Sequence, residues 1–509
     1  MGIPSYFSYI IRNHMKILKK FTVQTHQFQN LYLDSNSIIY DSIRELDKAG
    51  KIKPTPSDNY KIISALVCSK LQQYIDEIRP SNTVYIAFDG VAPLAKMKQQ
   101  RTRRYRSVFM ENHGIVPKSV FSSCLITPGT EFMDFLSNYV NTHFEKNTKV
   151  IVSASDEPGE GEHKLFQYIR ENPEKHLGQN TVVYGLDADL LMLSIFNNRT
   201  SNLFVYREAP EFAKSLNADL ENGASYILDV NLLCDSILVE MGCKFVHPAR
   251  IYDYAFLCFM LGNDFLPHFP ALNIRTNGIH NLLTAYKETV GNSQNTFIIV
   301  DGAIQWTQFQ KVVQWMAKRE EEWIRSEYLK RGEVRFSTNG DKEAIFNNAP
   351  LIYRETEHYI NPTEHKWQER YYKALFEKTD SINNICNNYY EGLEWVFRYY
   401  TNNCFDWRWK YEFDYPPLLV HMASNHIKTK YFLKQVTNPF HSKTQLLYVL
   451  PPLFHSNVPD EVGVLNRRKE EINHPFKWAF CRYIWEGHMV MDDIPIEELE
   501  RKNTMFLSA

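Results

Sequence analysis

Residues 181–193 read TVVYGLDADLLML, and this stretch decides the fold class. Thr181–Tyr184 is a run of β-branched and aromatic residues, long enough for a strand and too short for a helix. A glycine ends the run, two aspartates flank one alanine, and an apolar helical pattern begins at Leu190. A strand that passes at once towards a helix is the unit of a parallel sheet with crossover helices. The pattern recurs upstream. Leu31–Asp34, Val84–Asp89 and Lys149–Ser155 are predicted strands, separated by helical stretches such as Tyr60–Ile78 and His163–Arg170. The chain to about Pro270 is therefore predicted to be α/β with a mostly parallel central sheet. Ligand sites in such folds lie beyond the carboxyl ends of the strands.

Those ends carry acids. Asp34 closes LYLD, Asp89 closes VYIAFD, and Asp187 and Asp189 follow TVVYGL. Glu160 and Glu162 stand in EPGEGEHKLFQYI beside Gly159 and Gly161, which are expected to free the backbone to aim both side chains. Asp264 follows the apolar helical run Tyr252–Leu261. A single aspartate after a strand is commonly a helix cap or turn residue. Two carboxylates around one alanine at a sheet edge are costly to place without a cation. Phosphodiester hydrolysis by two divalent ions about 3.5–4 Å apart gives such acids a common purpose. Hard ions such as Mg²⁺ take oxygen ligands.

Directly after Asp89 comes GVAPLAKMKQQRTRRYR, in which Lys96, Lys98, Arg101, Arg103, Arg104 and Arg106 occur without an acid. On a helix, Lys96, Gln100, Arg103 and Arg104 share one face. Beside a metal site, such a face suits a terminal phosphate better than it suits solvent. Trp407 and Trp409 alternate in CFDWRWKYEFDYPP, where strand spacing would point both rings one way, into a core or along a wall that stacks bases.

The remaining chain bounds the reading. Residues 279–366 look helical and charged, with a solvated helix over Met316–Arg331 and a loop over Asn339–Glu355. An aromatic helical pattern returns over Trp367–Tyr400, and Leu446–Leu507 mixes Pro-bounded turns with amphipathic runs. The net charge of -2 does not favour a nucleic-acid binder, so local clustering has to carry that reading. The 8 Cys form no CxxC pair, as expected of reduced thiols in an intracellular protein. No apolar run reaches the about 18–20 residues a membrane span needs, so no membrane partner is expected.

Together these stretches resemble the XRN family of 5′→3′ exoribonucleases. The likeness rests on MGIPSYFSYI, YLDSNSII, FDGVAPLAKMKQQRTRRYR, PGEGEHK, YGLDADLLML, CFMLGNDFLPHFP and CFDWRWKYEFDYPP, and it continues weakly through WQERYYKALF and LLYVLPPLFHSNVP. It implies a PIN/FEN-like nuclease domain over 1–275, a helical connection and loop over 276–360, and a second, largely helical region over 361–509. It implies seven catalytic, metal-binding acids at Asp34, Asp89, Glu160, Glu162, Asp187, Asp189 and Asp264, holding two Mg²⁺ ions for which Mn²⁺ can substitute. It places a 5′-monophosphate pocket at Lys96, Gln100, Arg103 and Arg104. The substrate it implies is single-stranded RNA with a 5′-monophosphate, and the setting is cytoplasmic. In the family a His six residues after the first Asp stacks on a terminal base opposite a Trp. Here that position is Tyr40, and the Trp falls at Trp409 or Trp407. The compact length suits a cellular or a large-virus version equally. A flap endonuclease-like 5′ DNase would share the acids, but a lone Gly278 follows the last of them where that class has a Gly-rich hairpin. An inactive RNA-binding scaffold would have lost an acid, and none is missing.

Overall fold

A computed structural model describes residues 2–22, 27–209, 220–335, 340–376, 381–425, 436–452, 454 and 476–508. The first elements are α1 (Tyr6–Asn13), β1 (Leu18–Lys20), β2 (Asn30–Asp34), α2 (Asn36–Lys48), α3 (Tyr60–Ile78) and β3 (Thr83–Ala87). Next come α4 (Leu94–Asn112), α5 (Glu131–Phe144), β4 (Val150–Ser153) and α6 (Gly161–Glu171). β5 (Asn180–Tyr184), α7 (Asp189–Asn197), β6 (Asn202–Glu208) and β7 (Ser225–Asp229) follow. The strands form one sheet in the order β1-β7-β6-β5-β2-β3-β4. β6, β5, β2, β3 and β4 run parallel, while β7 and β1 add an antiparallel edge. This is the mostly parallel α/β sheet expected from the sequence. β1, β6 and β7 are not among the strands read from it. Two of the three residues of β1 are lysines, so no apolar run marks it.

Both faces of the sheet are covered, so the central strands are apolar throughout rather than alternating. Tyr32, Tyr85 and Val183 face Leu165, Phe166 and Ile169 of α6 and the leucines of α7. Leu31, Leu33, Val84 and Ile86 face α2, α3 and α5 through Ile38, Val67, Leu71 and Leu136. Burying each such side chain is worth about 1.5–3 kcal/mol. This packing fixes the register and so aligns the carboxyl ends of β2, β3 and β5 at one edge.

The second region is helical and docks on the α6–α7 side. One apolar cluster contains Tyr32 and Val183 of the sheet together with Phe256, Tyr286, Val312, Tyr389 and Trp395. Core side chains on both sides of residues 275 and 360 thus belong to one cluster.

The stretch read as one solvated helix over Met316–Arg331 is two helices, Trp306–Ala317 and Glu320–Glu333. Glu320 is buried and accepts the backbone N–H groups of Leu419 and Val420. Asn339–Glu355 is not a loop throughout. Asp341 caps a helix over Lys342–Asn347, and Pro350 opens a further turn over Ala349–Ile352. Of the expected C-terminal pattern, the helices Ser442–Val449 and Ile496–Ser508 are present, while residues 455–475 lie outside the described residues. The eight cysteines are unpaired. Among the described residues no helix is long and apolar enough to cross a membrane.

Candidate active site

The carboxyl edge of the sheet opens into a cavity of about 510 Å³. Asp34 reaches it from the last residue of β2, Asp89 from just beyond β3, and Asp187 from just beyond β5. Glu160 is the N-cap residue of α6 and Glu162 stands in its first turn, and both line the cavity. Asp189, the first residue of α7, is buried and does not line it, and Asp264, in the turn after Phe259–Leu261, lines a neighbouring cavity instead. Electrostatic coupling nevertheless links them to Asp187.

The glycines act differently from each other. Gly159 adopts a positive φ of 111°, as the turn before α6 requires. Gly161 is helical, and its role is space, because a Cβ there would stand 2.7 Å from Asp34 Oδ1 and 3.5 Å from Asp89 Oδ1. Its N–H donates to Asp89 Oδ1 at 2.7 Å. Gly161→Ala should therefore split stability from activity. Ala is the better helix former by about 1 kcal/mol, so the melting temperature should hold or rise. The Asp34 carboxylate must move, and about 1 Å of misplacement costs on the order of 10²-fold in rate. Unchanged cleavage by a folded Gly161→Ala enzyme would show that the position of Asp34 is immaterial.

The acids carry more negative charge than their surroundings neutralise. Burial, then Asp89 and Asp187, push the Asp34 carboxyl well above its usual range. Burial, then Asp189 and Asp187, do the same to Glu162. Asp189 is pushed up to about 8 by burial and by Asp187 and Asp264. Glu162 Oε2 and Asp189 Oδ1 are buried oxygens without a hydrogen-bond donor. Such orphaned carboxylate oxygens fit hard divalent cations, which need oxygen ligands and supply the missing charge. Among the described residues no three acidic, His or Cys side chains yet converge on one ion position.

Lys96 partly fills that electrostatic gap. Its Nζ lies 2.5 Å from Glu160 Oε2 and 2.6 Å from Asp264 Oδ2. Burial would strip its proton, but Asp264 and Glu160 outweigh burial and hold the ammonium charged. Lys96 is only 7% exposed, so this member of the predicted phosphate face is turned into the acids. All four residues of that face line the cavity. Gln100 Oε1 and Arg104 Nε are buried without partners. Arg104 is aimed by Ile126 O, 2.9 Å from Nη2, and by the Tyr40 hydroxyl, 3.3 Å from Nη1. Tyr40 itself lines the cavity.

The expected tryptophans do not line this cavity. The segment Cys404–Tyr415 forms no strand, so the alternation of its rings carries no common direction. Trp409 is 8% exposed and stacks on Trp395 at 5.0 Å between centroids, over Gly392. It is a core residue. Trp407 contributes its backbone, accepting the Leu94 N–H at the start of α4. The tryptophan in the cavity with Tyr40 is Trp485. Its carbonyl accepts from Arg106 of α4 at 2.9 Å, and its neighbour Glu486 pairs with Arg275 at 2.6 Å. A buried Arg331–Glu357 pair holds Cys481 O and the Phe480 N–H just before it. Nothing local in RYIWEGHM marks Trp485 apart from the other eight tryptophans.

Tyr399 was missed for the same reason: in sequence it belongs to an aromatic helix. Its hydroxyl donates to Glu160 Oε1 at 2.9 Å, and its ring stacks on His163 at 3.7 Å. Arg207, at the end of β6, also lines the cavity and is likewise absent from the sequence reading.

A parallel-sheet edge crowded with buried acids, closed on one side by a cationic helix, is the layout of a nuclease catalytic domain. A family model described as the XRN 5'-3' exonuclease N-terminus matches residues 1–209, and one described as the Xrn1 helical domain matches 247–356 and 352–475. The chain belongs to the XRN family. It is 26% identical to 5'-3' exoribonuclease 1 of Saccharomyces cerevisiae over 94% of its length and 41% of the relative's. It is 26% identical to 5'-3' exoribonuclease 2 of Gallus gallus, covering 96% of this chain and 68% of that one. For 5'-3' exoribonuclease 2 of Arabidopsis thaliana the figures are 25%, 90% and 62%. The chain thus spans between 41% and 68% of the length of these relatives. The catalytic core of Rad2 in complex with DNA substrate aligns with 67% of this chain at 11% identity and a TM-score of 0.34.

Proposed function

We propose that this chain is a 5′→3′ exoribonuclease that hydrolyses 5′-monophosphorylated single-stranded RNA stepwise to nucleoside 5′-monophosphates. The observation that carries the reading is the sharing of one cavity by the acidic edge, the free faces of Gln100, Arg103 and Arg104, and two rings.

Asp34, Asp89, Glu160, Glu162, Asp187, Asp189 and Asp264 would hold two Mg²⁺ or Mn²⁺ ions. When bound, the ions supply an activated water and stabilise the leaving oxygen. The chain's own residues do the rest. Gln100, Arg103 and Arg104 take the terminal phosphate, with Arg104 held in place by Ile126 and Tyr40. Lys96 neutralises Glu160 and Asp264 from within the acids. Tyr399 fixes the Glu160 rotamer. Tyr40 and Trp485 hold the first bases between rings, at about 1–3 kcal/mol per base regardless of sequence. The unpaired cysteines support an intracellular setting. The deciding assay offers the purified protein and Mg²⁺ a 5′-phosphorylated RNA. Nucleoside 5′-monophosphates released from the 5′ end first support the reading, and internal cuts reject it.

The rings make a separate prediction. Tyr40→Phe keeps the ring and loses only the long bond to Arg104, so activity should stay within a few-fold. Tyr40→Ala and Trp485→Ala should each shorten processive runs on long RNA, while Trp409→Ala should cost about 3–5 kcal/mol of folding stability, as a core cavity does. Product ladders from the four variants decide the matter. A dead Phe variant would give the phenol a chemical role, and full processivity in Trp485→Ala would remove that ring from the substrate path.

A further inference from the structure

Arg207 lies on the flank of the acids opposite to α4. In the sheet order, α4 follows β3, the acids of β2 and β5 come next, and β6 lies beyond them. Tyr206 pairs in register with Tyr184, so Arg207 stands level with Gly185, just before Asp187. Its guanidinium lines the cavity, yet the residue is only 8% exposed. Among the described residues no carboxylate lies within ion-pair distance of it, burial outweighs the more distant charges of Asp187 and Glu208, and its Nε is buried without a partner. It lies over the Phe7 ring at 3.6 Å, in the first turn of α1. Ser5, at the N-cap of α1, offers that helix no side-chain cap, and Ser5 and Ser8 line the same cavity. A buried guanidinium without a carboxylate is costly unless something else supplies the negative charge. A helix N-terminus adds to the preference for an anion there.

We infer that Arg207, with the first turn of α1, binds the RNA phosphodiester one nucleotide 3′ of the scissile linkage. Three strand spacings, roughly 14 Å, separate the strand that precedes α4 from β6. RNA crossing the edge with its terminal phosphate at Arg103 and Arg104 and its scissile phosphate over the acids brings its next phosphate to Arg207. The two cationic ends then stretch the strand across the acids, and Arg207 is a substrate-binding residue that holds the chain that stays after each cut. This rests on the exoribonuclease reading above.

The test is a cycle between the protein and the RNA. A 5′-phosphorylated oligoribonucleotide is made with a neutral methylphosphonate at its second internucleotide linkage, and a control carries it far downstream. Release of the first nucleotide is timed with Mg²⁺. For the wild-type enzyme, neutralising the second linkage should slow release about tenfold, as expected for one charge-assisted contact. Arg207→Met should be slowed about as much on unmodified RNA and no further on the modified one. Arg207→Lys should recover part of the loss on unmodified RNA only. The melting temperature of Arg207→Met should hold or rise, since an unpaired buried charge is removed. Losses that multiply, or an Arg207→Met enzyme as fast as wild type, would overturn the inference. So would a lowered melting temperature with an unchanged response to the modified linkage, which makes Arg207 structural. Wild-type protein that releases no nucleotide from unmodified RNA would overturn the exoribonuclease reading itself, which separates the two failures.

Discussion

Asp187→Asn is expected to slow nucleotide release from 5′-phosphorylated RNA by about 10³-fold, or roughly 4 kcal/mol of transition-state stabilisation. Asp187 stands at the carboxyl end of β5 and lines the cavity together with Asp34, Glu160 and Glu162. The change is nearly isosteric, so packing beneath it is untouched. It also removes one member of a mutually repelling group, since Asp187 is among the charges that push Asp34, Glu162 and Asp189 upward. Mg²⁺ or Mn²⁺ should raise the melting temperature of the variant less than that of wild type. Single-turnover release and thermal melts with and without metal read both effects. Activity within tenfold of wild type would remove Asp187 from the catalytic set, and an equal metal-induced shift would remove it from the ion site.

The second large effect is on the 5′ end of the RNA. RNA ending in a monophosphate should be degraded about 10²-fold faster than the same RNA ending in a hydroxyl, because one terminal phosphate would meet Gln100, Arg103 and Arg104 together on the cavity wall. Each charge-assisted contact of this kind is worth about 1.5–3 kcal/mol. A triphosphate or a cap should fare as badly for a steric reason. Gln100 and Arg104 present buried, unpartnered atoms, and Arg104 is braced from behind by the Ile126 carbonyl, so this wall cannot retreat from a bulkier group. Arg104→Ala should erase most of the preference while general RNA affinity falls less, since contacts to the rest of the chain persist. Competition between the four end types, followed in wild type and variant, measures the ratio directly. Equal rates on all four ends in the wild type would mean that the cationic wall reads no end group.

The parts of this site legible in sequence share one property: each is announced by its own neighbours. Asp34, Asp89 and Asp187 follow apolar runs that both faces of the sheet must bury, so their placement at strand ends follows from local pattern alone. Glu160 and Glu162 are bracketed by glycines, and Gln100, Arg103 and Arg104 share a helical face with no acid to pair them. Of the strands not read from sequence, β1 escaped because two of its three residues are lysines, while β6 and β7 lie inside the sheet between β1 and β5. For Trp407 and Trp409 the spacing left core and stacking wall open, because period-two spacing carries direction only in a strand; Trp409 lies in the core, in a segment that Tyr411 and Tyr415 draw into irregular packing.

What the sequence determined by itself, then, was the α/β class, the row of acids at one sheet edge and the cationic helix beside it, because strand and helix periodicity are local physics. What only the tertiary structure decided was which distant groups complete the row. Trp485 reaches the cavity because the Arg331–Glu357 pair and Arg106 fix its chain segment there. Tyr399 reaches Glu160 because its helix packs against α7, and Lys96 turns inward because the buried Asp264 and Glu160 carboxylates hold its ammonium. Arg207 is an ordinary strand-end arginine until the sheet order sets it across the acids from α4. These placements depend on burial and charge shared between segments far apart in the chain, and no window of sequence contains both partners.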